Sequence, residues 1–102
     1  MTDDGRPVVV YAPEGEWDLA RSGELRRELF PLLDSPGTQV IVADLAGVTF
    51  IDSTILGVFI AMAKRSAARD KQFLLVNAQG IVAKVIEVTG LDFLIVDEAP
   101  RT

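Results

Sequence analysis

Four short apolar runs rich in β-branched residues recur along the chain, and each gap between them carries helical spacing. The runs are residues 7–12, 40–45, 72–77 and 91–96. Short apolar runs bounded by turn signals read as strands. The first, Pro7-Val8-Val9-Val10-Tyr11-Ala12, has no polar alternation, which predicts burial on both faces. Between the first two runs, Leu25, Leu29, Leu32 and Leu33 form an apolar stripe on a helix predicted over 19–33, with Arg21, Glu24, Arg26, Arg27 and Glu28 mostly in solvent. Asp18 is placed to cap that helix. Pro31 removes a backbone hydrogen bond and predicts a kinked or shortened last turn, and Asp34-Ser35-Pro36-Gly37 stops it. A second helix is predicted over 54–68, with Leu56, Phe59, Ile60 and Ala63 on its apolar face and Lys64, Arg65 and Arg69 suiting its C-terminal dipole. Asp70-Lys71 reads as a short turn. A third, short helix carries Ile81, Val82, Val85 and Ile86 and ends at Gly90 in a left-handed terminus. Glu16 and Trp17 are candidates for resumed extended structure after the Pro13-Glu14-Gly15 turn.

Strand–helix alternation of this kind implies parallel crossovers. The fold class is therefore α/β: a mixed, largely parallel sheet of about four to five strands with helices packed against it. At 102 residues, 49% apolar and 25% charged, the chain reads as one domain over 1–102, with loose tails expected at 1–6 and 98–102.

The composition narrows the chemistry. There is no His, which removes the commonest general base, every Ser-His-Asp triad and the commonest metal ligand. There is no Cys, which removes disulfides, thiolate ligands and Cys nucleophiles. No Gly-rich phosphate loop occurs. The expectation is a protein that is not an enzyme, with no catalytic residues, no cofactor and no metal. A formal net charge of −5 argues against nucleic acid or an anionic membrane as the main partner. No apolar run reaches the ~18 residues of a spanning helix. The acidic, polar start Met1-Thr2-Asp3-Asp4-Gly5-Arg6 does not read as a signal peptide, so a cytoplasmic location is expected.

Asp52-Ser53-Thr54 falls where the second run gives way to the second helix. Amides are unpaired there, and the helix dipole favours negative charge. Asp, Ser and Thr are ordinary cap residues, so the triplet alone reads first as a cap. The alternative is a hydroxyl presented to a kinase, since a phosphate at a helix start gains from the dipole. Asp44, at a strand end, reads as structural, bonded to nearby turn amides. Trp17 reads as core, or as an interface anchor if half exposed. Asp18 divides between plain cap and binding residue, and no third group supports it and Asp52 as an acid–base pair.

Three stretches resemble one family. Gly15-Glu16-Trp17-Asp18 ahead of a helix resembles the Gly-Glu-Leu-Asp element of STAS domains, the anti-sigma-factor antagonist family. Val42-Ala43-Asp44-Leu45-Ala46-Gly47-Val48-Thr49-Phe50-Ile51-Asp52-Ser53-Thr54 is similar to its strand, turn and phosphoacceptor loop, and 82–91 to its last helix and Gly-Leu exit. The resemblance implies a small switch. The unmodified protein binds an anti-sigma factor, often itself a serine kinase, and so frees a sigma factor. The kinase phosphorylates the loop Ser, the complex separates, and a phosphatase resets it. Carried onto this chain, the acceptor is Ser53, and Asp18, Asp52 and Thr54 belong to the partner-binding surface. Where the family has Gly after the two hydroxyl residues, this chain has Ile55. If its side chain is exposed, Ile55 is either an obstacle to a kinase or a hydrophobic anchor for a partner. The other reading the family leaves open is a static STAS scaffold, or an accessory subunit of a transporter or signalling complex, with no phosphoryl cycle.

Overall fold

A computed structural model describes residues 5–91 and 95–96 of the chain. The elements are β1 (Val8–Tyr11), β2 (Gly15–Trp17), a 3-10 turn at Leu19–Arg21, α1 (Ser22–Leu29), a second 3-10 turn at Phe30–Asp34, β3 (Val40–Asp44), β4 (Val48–Ile51), α2 (Ser53–Ala68), β5 (Gln72–Val76), α3 (Gly80–Val88) and β6 (Ile95–Val96). One sheet has the order β1-β3-β5-β6, and β2 and β4 form a separate two-stranded pair. Every pairing is parallel. The α/β class and the crossovers follow the sequence pattern, and no antiparallel strand occurs among the described residues.

The central strands alternate across the sheet. Ile41, Ala43, Phe73 and Leu75 join the main core with the helices, while Val40, Val42, Leu74 and Val76 form a second buried cluster on the opposite face. On the main side α1 packs against α2, α2 lies on β5, and α3 lies against β4. The Phe59 and Phe73 rings meet at 6.0 Å, tilted by 41°. Lys71 fastens the loop after the second 3-10 turn to β5, its ammonium donating to the Leu33 carbonyl at 2.6 Å and to Ser35 at 3.2 Å. Arg6 donates to Gln72 at 3.1 Å. The rest of the expected tails lies almost wholly outside the described residues, as do positions 92–94 of the last predicted strand.

Several boundaries differ from the sequence pattern for identifiable reasons. β1 is not buried on both faces: it is an edge strand with one neighbour, and Val10 lies open to solvent. The predicted 19–33 helix is divided. Its α-helical part is Ser22–Leu29, and Pro31, which has no N–H to give, sits at the start of the 3-10 turn that replaces the last turns. Ile60 is on the outer rather than the core face of α2. α3 stops as expected, with Gly90 at φ +79°. The expected Asp70-Lys71 turn contains Asp70 at φ +56°. Among the described residues no helix is long and apolar enough to cross a membrane.

α2 offers an internal comparison. Met62 is fully buried, whereas the hydroxyl of Ser66, one turn later, is buried with no hydrogen-bond partner. Met62→Ala is expected to lower unfolding free energy by about 2–5 kcal/mol. Ser66→Ala should leave it unchanged or raise it by about 1 kcal/mol, since it deletes an unsatisfied hydroxyl. Urea denaturation of the two variants beside wild type checks both signs.

Candidate functional site

The site is made by the β2–β4 pair. The two strands run parallel with Trp17 opposite Ile51, so their next residues, Asp18 and Asp52, emerge side by side at two helix starts. The turn ahead of β4 keeps this register. Asp44 accepts from the Ala46 amide and the Asn77 side chain, each at 3.0 Å, and the Gly15 amide donates to the Gly47 carbonyl at 2.9 Å. A Cβ on Gly47 would lie 3.0 Å from Cγ of the exposed Glu14, whose side chain would have to shift by a few tenths of an ångström. Asp44 thus has the turn-bonding role its position suggests.

Asp52 is the N-cap of α2. Its Oδ1 accepts from the Ile55 amide at 3.0 Å, and its Oδ2 accepts from the Leu19 amide at 2.9 Å. One carboxylate therefore satisfies amides at the starts of both helical segments. Asp18 caps its own segment, accepting from Ala20 N at 2.9 Å. The two acids are brought together, but both are occupied as acceptors of backbone amides. Ser53 follows at the first position of α2 and is exposed, and Thr54 is half-buried.

Ile55 departs from both readings of an exposed side chain. It is 1% exposed and belongs to the main core. The helix start turns position 55 inward, into the cluster that also holds Ile51 and Leu56. Its side chain is therefore neither an obstacle beside Ser53 nor a partner anchor. Trp17 is likewise core, 3% exposed, with its indole N–H donating to the Glu14 carbonyl at 3.0 Å.

Arg21, expected mostly in solvent, has a structural part that the pattern did not disclose. Its guanidinium lies 3.5 Å from the centre of the Trp17 ring and donates to the carbonyls of Glu14 and Glu16 at 3.2 and 2.9 Å. It also pairs with Glu24 at 3.0 Å. That hydrogen-bonded pairing raises the Arg21 pKa and lowers that of Glu24. The three-residue spacing of Arg21 and Glu24 was the available signal. Behind them, the Tyr11 hydroxyl donates to Glu28. Burial, followed by this bond and the neighbouring carboxylates, pushes the phenol pKa well up. Arg21 thus braces β2 through Trp17 and the Glu14 and Glu16 carbonyls.

Three positions in the same region are exposed: Leu19, read as the start of the first helix, is 69% exposed; Ile60, read as part of the apolar face of the second, is 37% exposed; and Gly57 lies between Ser53 and Ile60 on α2.

The family model for the STAS domain matches residues 2–101. The anti-sigma-B factor antagonist of Staphylococcus aureus is 33% identical over 85 residues, 82% of this chain and 78% of that protein. The anti-sigma factor antagonist SpoIIAA of Bacillus, in its unphosphorylated form, superposes with a TM-score of 0.80 at 22% identity, over 92% of this chain and 82% of its own. The protein TM1081 of Thermotoga maritima superposes with a TM-score of 0.79 at 27% identity, over 96% and 83%.

The Asp52 bridge sets a ranking of stability effects. Asp52→Ala, which leaves two amides without their acceptor, is expected to cost about 2–3 kcal/mol. Asp18→Ala, which loses one, should cost about 1 kcal/mol. Equilibrium denaturation gives the order, and faster hydrogen exchange of the Leu19 amide in Asp52→Ala but not in Asp18→Ala identifies the bridge.

Proposed function

The chain belongs to the STAS domain family, and on that premise we propose that it is an anti-sigma factor antagonist switched by phosphorylation of Ser53. The unmodified protein binds an anti-sigma factor that is also a serine kinase, and a sigma factor is released. The kinase transfers a phosphoryl group to the Ser53 hydroxyl, the complex separates, and a phosphatase restores the first state. The work is protein–protein recognition in the cytoplasm rather than catalysis by this chain, with neither nucleic acid nor membrane insertion involved.

The observation that carries this reading is the contrast at the start of α2. Asp52 is held by two backbone amides and Ile55 lies in the core, while Ser53 between them is exposed. A kinase could reach that hydroxyl without disturbing either neighbour. The identity of 33% to an anti-sigma-B factor antagonist supports the same role. Ile55, with its side chain inside, neither obstructs a kinase nor supports the static scaffold reading.

A phosphate at Ser53 adds about 1.5 to 2 negative charges beside Asp18 and Asp52. In a packed interface that charge has to be desolvated, and one buried, poorly paired charge costs several kcal/mol. Since about 1.4 kcal/mol is a factor of ten in affinity, a single phosphate is enough to separate the partners. The helix start accommodates it in the free protein, where the dipole and the first-turn amides favour an anion.

Titration of a purified anti-sigma kinase with wild type, Ser53→Ala and Ser53→Asp tests the proposal. Wild type and Ser53→Ala should bind alike. Ser53→Asp should bind at least about 10-fold more weakly, and only wild type should take up phosphate from ATP. Equal binding by all three, with no phosphate uptake, would move the protein to the static scaffold reading.

A further inference from the structure

β1 closes one side of the sheet, and among the described residues no strand lies beyond it. Sheet edges are usually blunted by a charge, a proline or a bulge, since their free amides and carbonyls invite another strand. β1 carries none of these over Val8–Tyr11. Its residues are Val8, Val9, Val10 and Tyr11, their register with β3 is unbroken, and Val10 is 46% exposed.

The ladder shows which groups are on offer. The Val40 amide donates to the Pro7 carbonyl at 3.1 Å, and Val8 is in register with Val40. Pro7, Val9 and Tyr11 therefore bond toward β3, while Val8 and Val10 turn their amides and carbonyls away from the sheet. The side chains of Val8 and Val10 share the face of Val40 and Val42, and Val8 packs against that second cluster.

We propose that β1 pairs antiparallel with β1 of a second copy of this chain, about a two-fold axis at Val10. The proposal is independent of the antagonist reading. A two-fold contact needs a surface that complements itself, and the residues around Val10 have that property. About this axis Val10 faces its own copy, Val8 faces Ala12, Val9 faces Tyr11 and Arg6 faces Glu14. The Val10 pair exchanges the outward amides and carbonyls, and so does Val8 with Ala12. Val9 opposite Tyr11 is a β-branched–aromatic pair of the kind that stabilises adjoining strands. Arg6 and Glu14 are exposed and of opposite charge, and symmetry brings them together twice. Pro7 and Pro13 fall opposite one another at the ends, so no outward amide is lost to proline. An in-register parallel pairing would instead set Arg6 against Arg6 and Glu14 against Glu14. The contact is narrow, below about 1,200 Å², which places the dimer in the weak class.

Sedimentation velocity of the full chain from about 10 µM to about 1 mM tests the pairing. Wild type should pass from monomer to dimer over that range. Val10→Lys sets like charges against each other and should stay monomeric, with Tm within about 2 °C of wild type because the side chain is exposed. Arg6→Glu and Glu14→Arg should each weaken the dimer about 10-fold or more, and the two together should restore it to within about threefold. The chain has no Cys, so introduced thiols report the register. Under mild oxidation Val10→Cys should form a covalent dimer, Val8→Cys alone should not, and Val8→Cys with Ala12→Cys should. Wild type that remains monomeric at about 1 mM overturns the proposal. A dimer that Val10→Lys leaves intact, or that the charge reversals weaken without mutual rescue, overturns it as well. No anti-sigma kinase enters the assay, so the antagonist reading stands or falls separately.

Discussion

Two backbone amides from different segments of the chain end on one carboxylate. Asp52 takes the Ile55 amide with one oxygen and the Leu19 amide with the other, at 3.0 and 2.9 Å. The arrangement is possible only because β2 and β4 run parallel and in a register that sets Trp17 against Ile51. Parallel strands end on the same side, so both helix starts, with their unpaired amides, open at one edge of the molecule. A single acid placed there caps one segment and takes the first amide of the other, beside Asp18, which caps its own. It also fixes the distance between the Asp18–Leu19 loop and the Ser53 turn, which no packing contact between exposed side chains would do as well.

The support for this edge runs inward in layers. Arg21 stacks on Trp17 and holds the Glu14 and Glu16 carbonyls, so the short β2 keeps its shape although it has a single neighbour. Asp44 closes the turn before β4, and the Gly15 amide ties the Glu14 loop to the Gly47 carbonyl. Ile51, Ile55 and Trp17 then anchor the construction in the core. Polar groups set the edge and apolar groups hold it down. That division would suit the presentation of a hydroxyl proposed for Ser53, since a burial contribution has no direction and a hydrogen bond has one.

The legible part of the fold was the part with strong periodicity. The strands at 40–45 and 72–77, the helix over 54–68 and the end of α3 at Gly90 all follow from runs whose local preference agrees with their final environment. β4 was not separable as a strand. Its four residues have their two buried positions at the ends, Val48 and Ile51, so no alternation marks them, and they read as a loop leading to Asp52. β1 carries the composition of an interior strand but stands at an edge, because strand order is a property of the whole sheet and not of the run itself. For the candidate site, Asp18, Asp52 and Ser53 were legible as residues at helix starts, but their proximity was not, since it depends on the β2–β4 register. The inward aim of Ile55 was equally out of reach: one helical step, about 100°, separates a partner-facing side chain from a core one.

Position 55 and position 57 together show how the surface and the interior divide the same helix. Ile55 adds a β-branched side chain beside the exposed Ser53 without touching the surface, because its direction is set by Asp52 capping its own amide. Gly57 forgoes a side chain where the surface has room for one. The first places a side chain in the core under the site; the second leaves the backbone open above it. With the turn braced by Asp52 and Ile55, a charge added at Ser53 has no loose element nearby to displace. Its effect would fall on whatever lies against the helix, so the free energy of such a switch would reside in the interface rather than in a rearrangement of this chain.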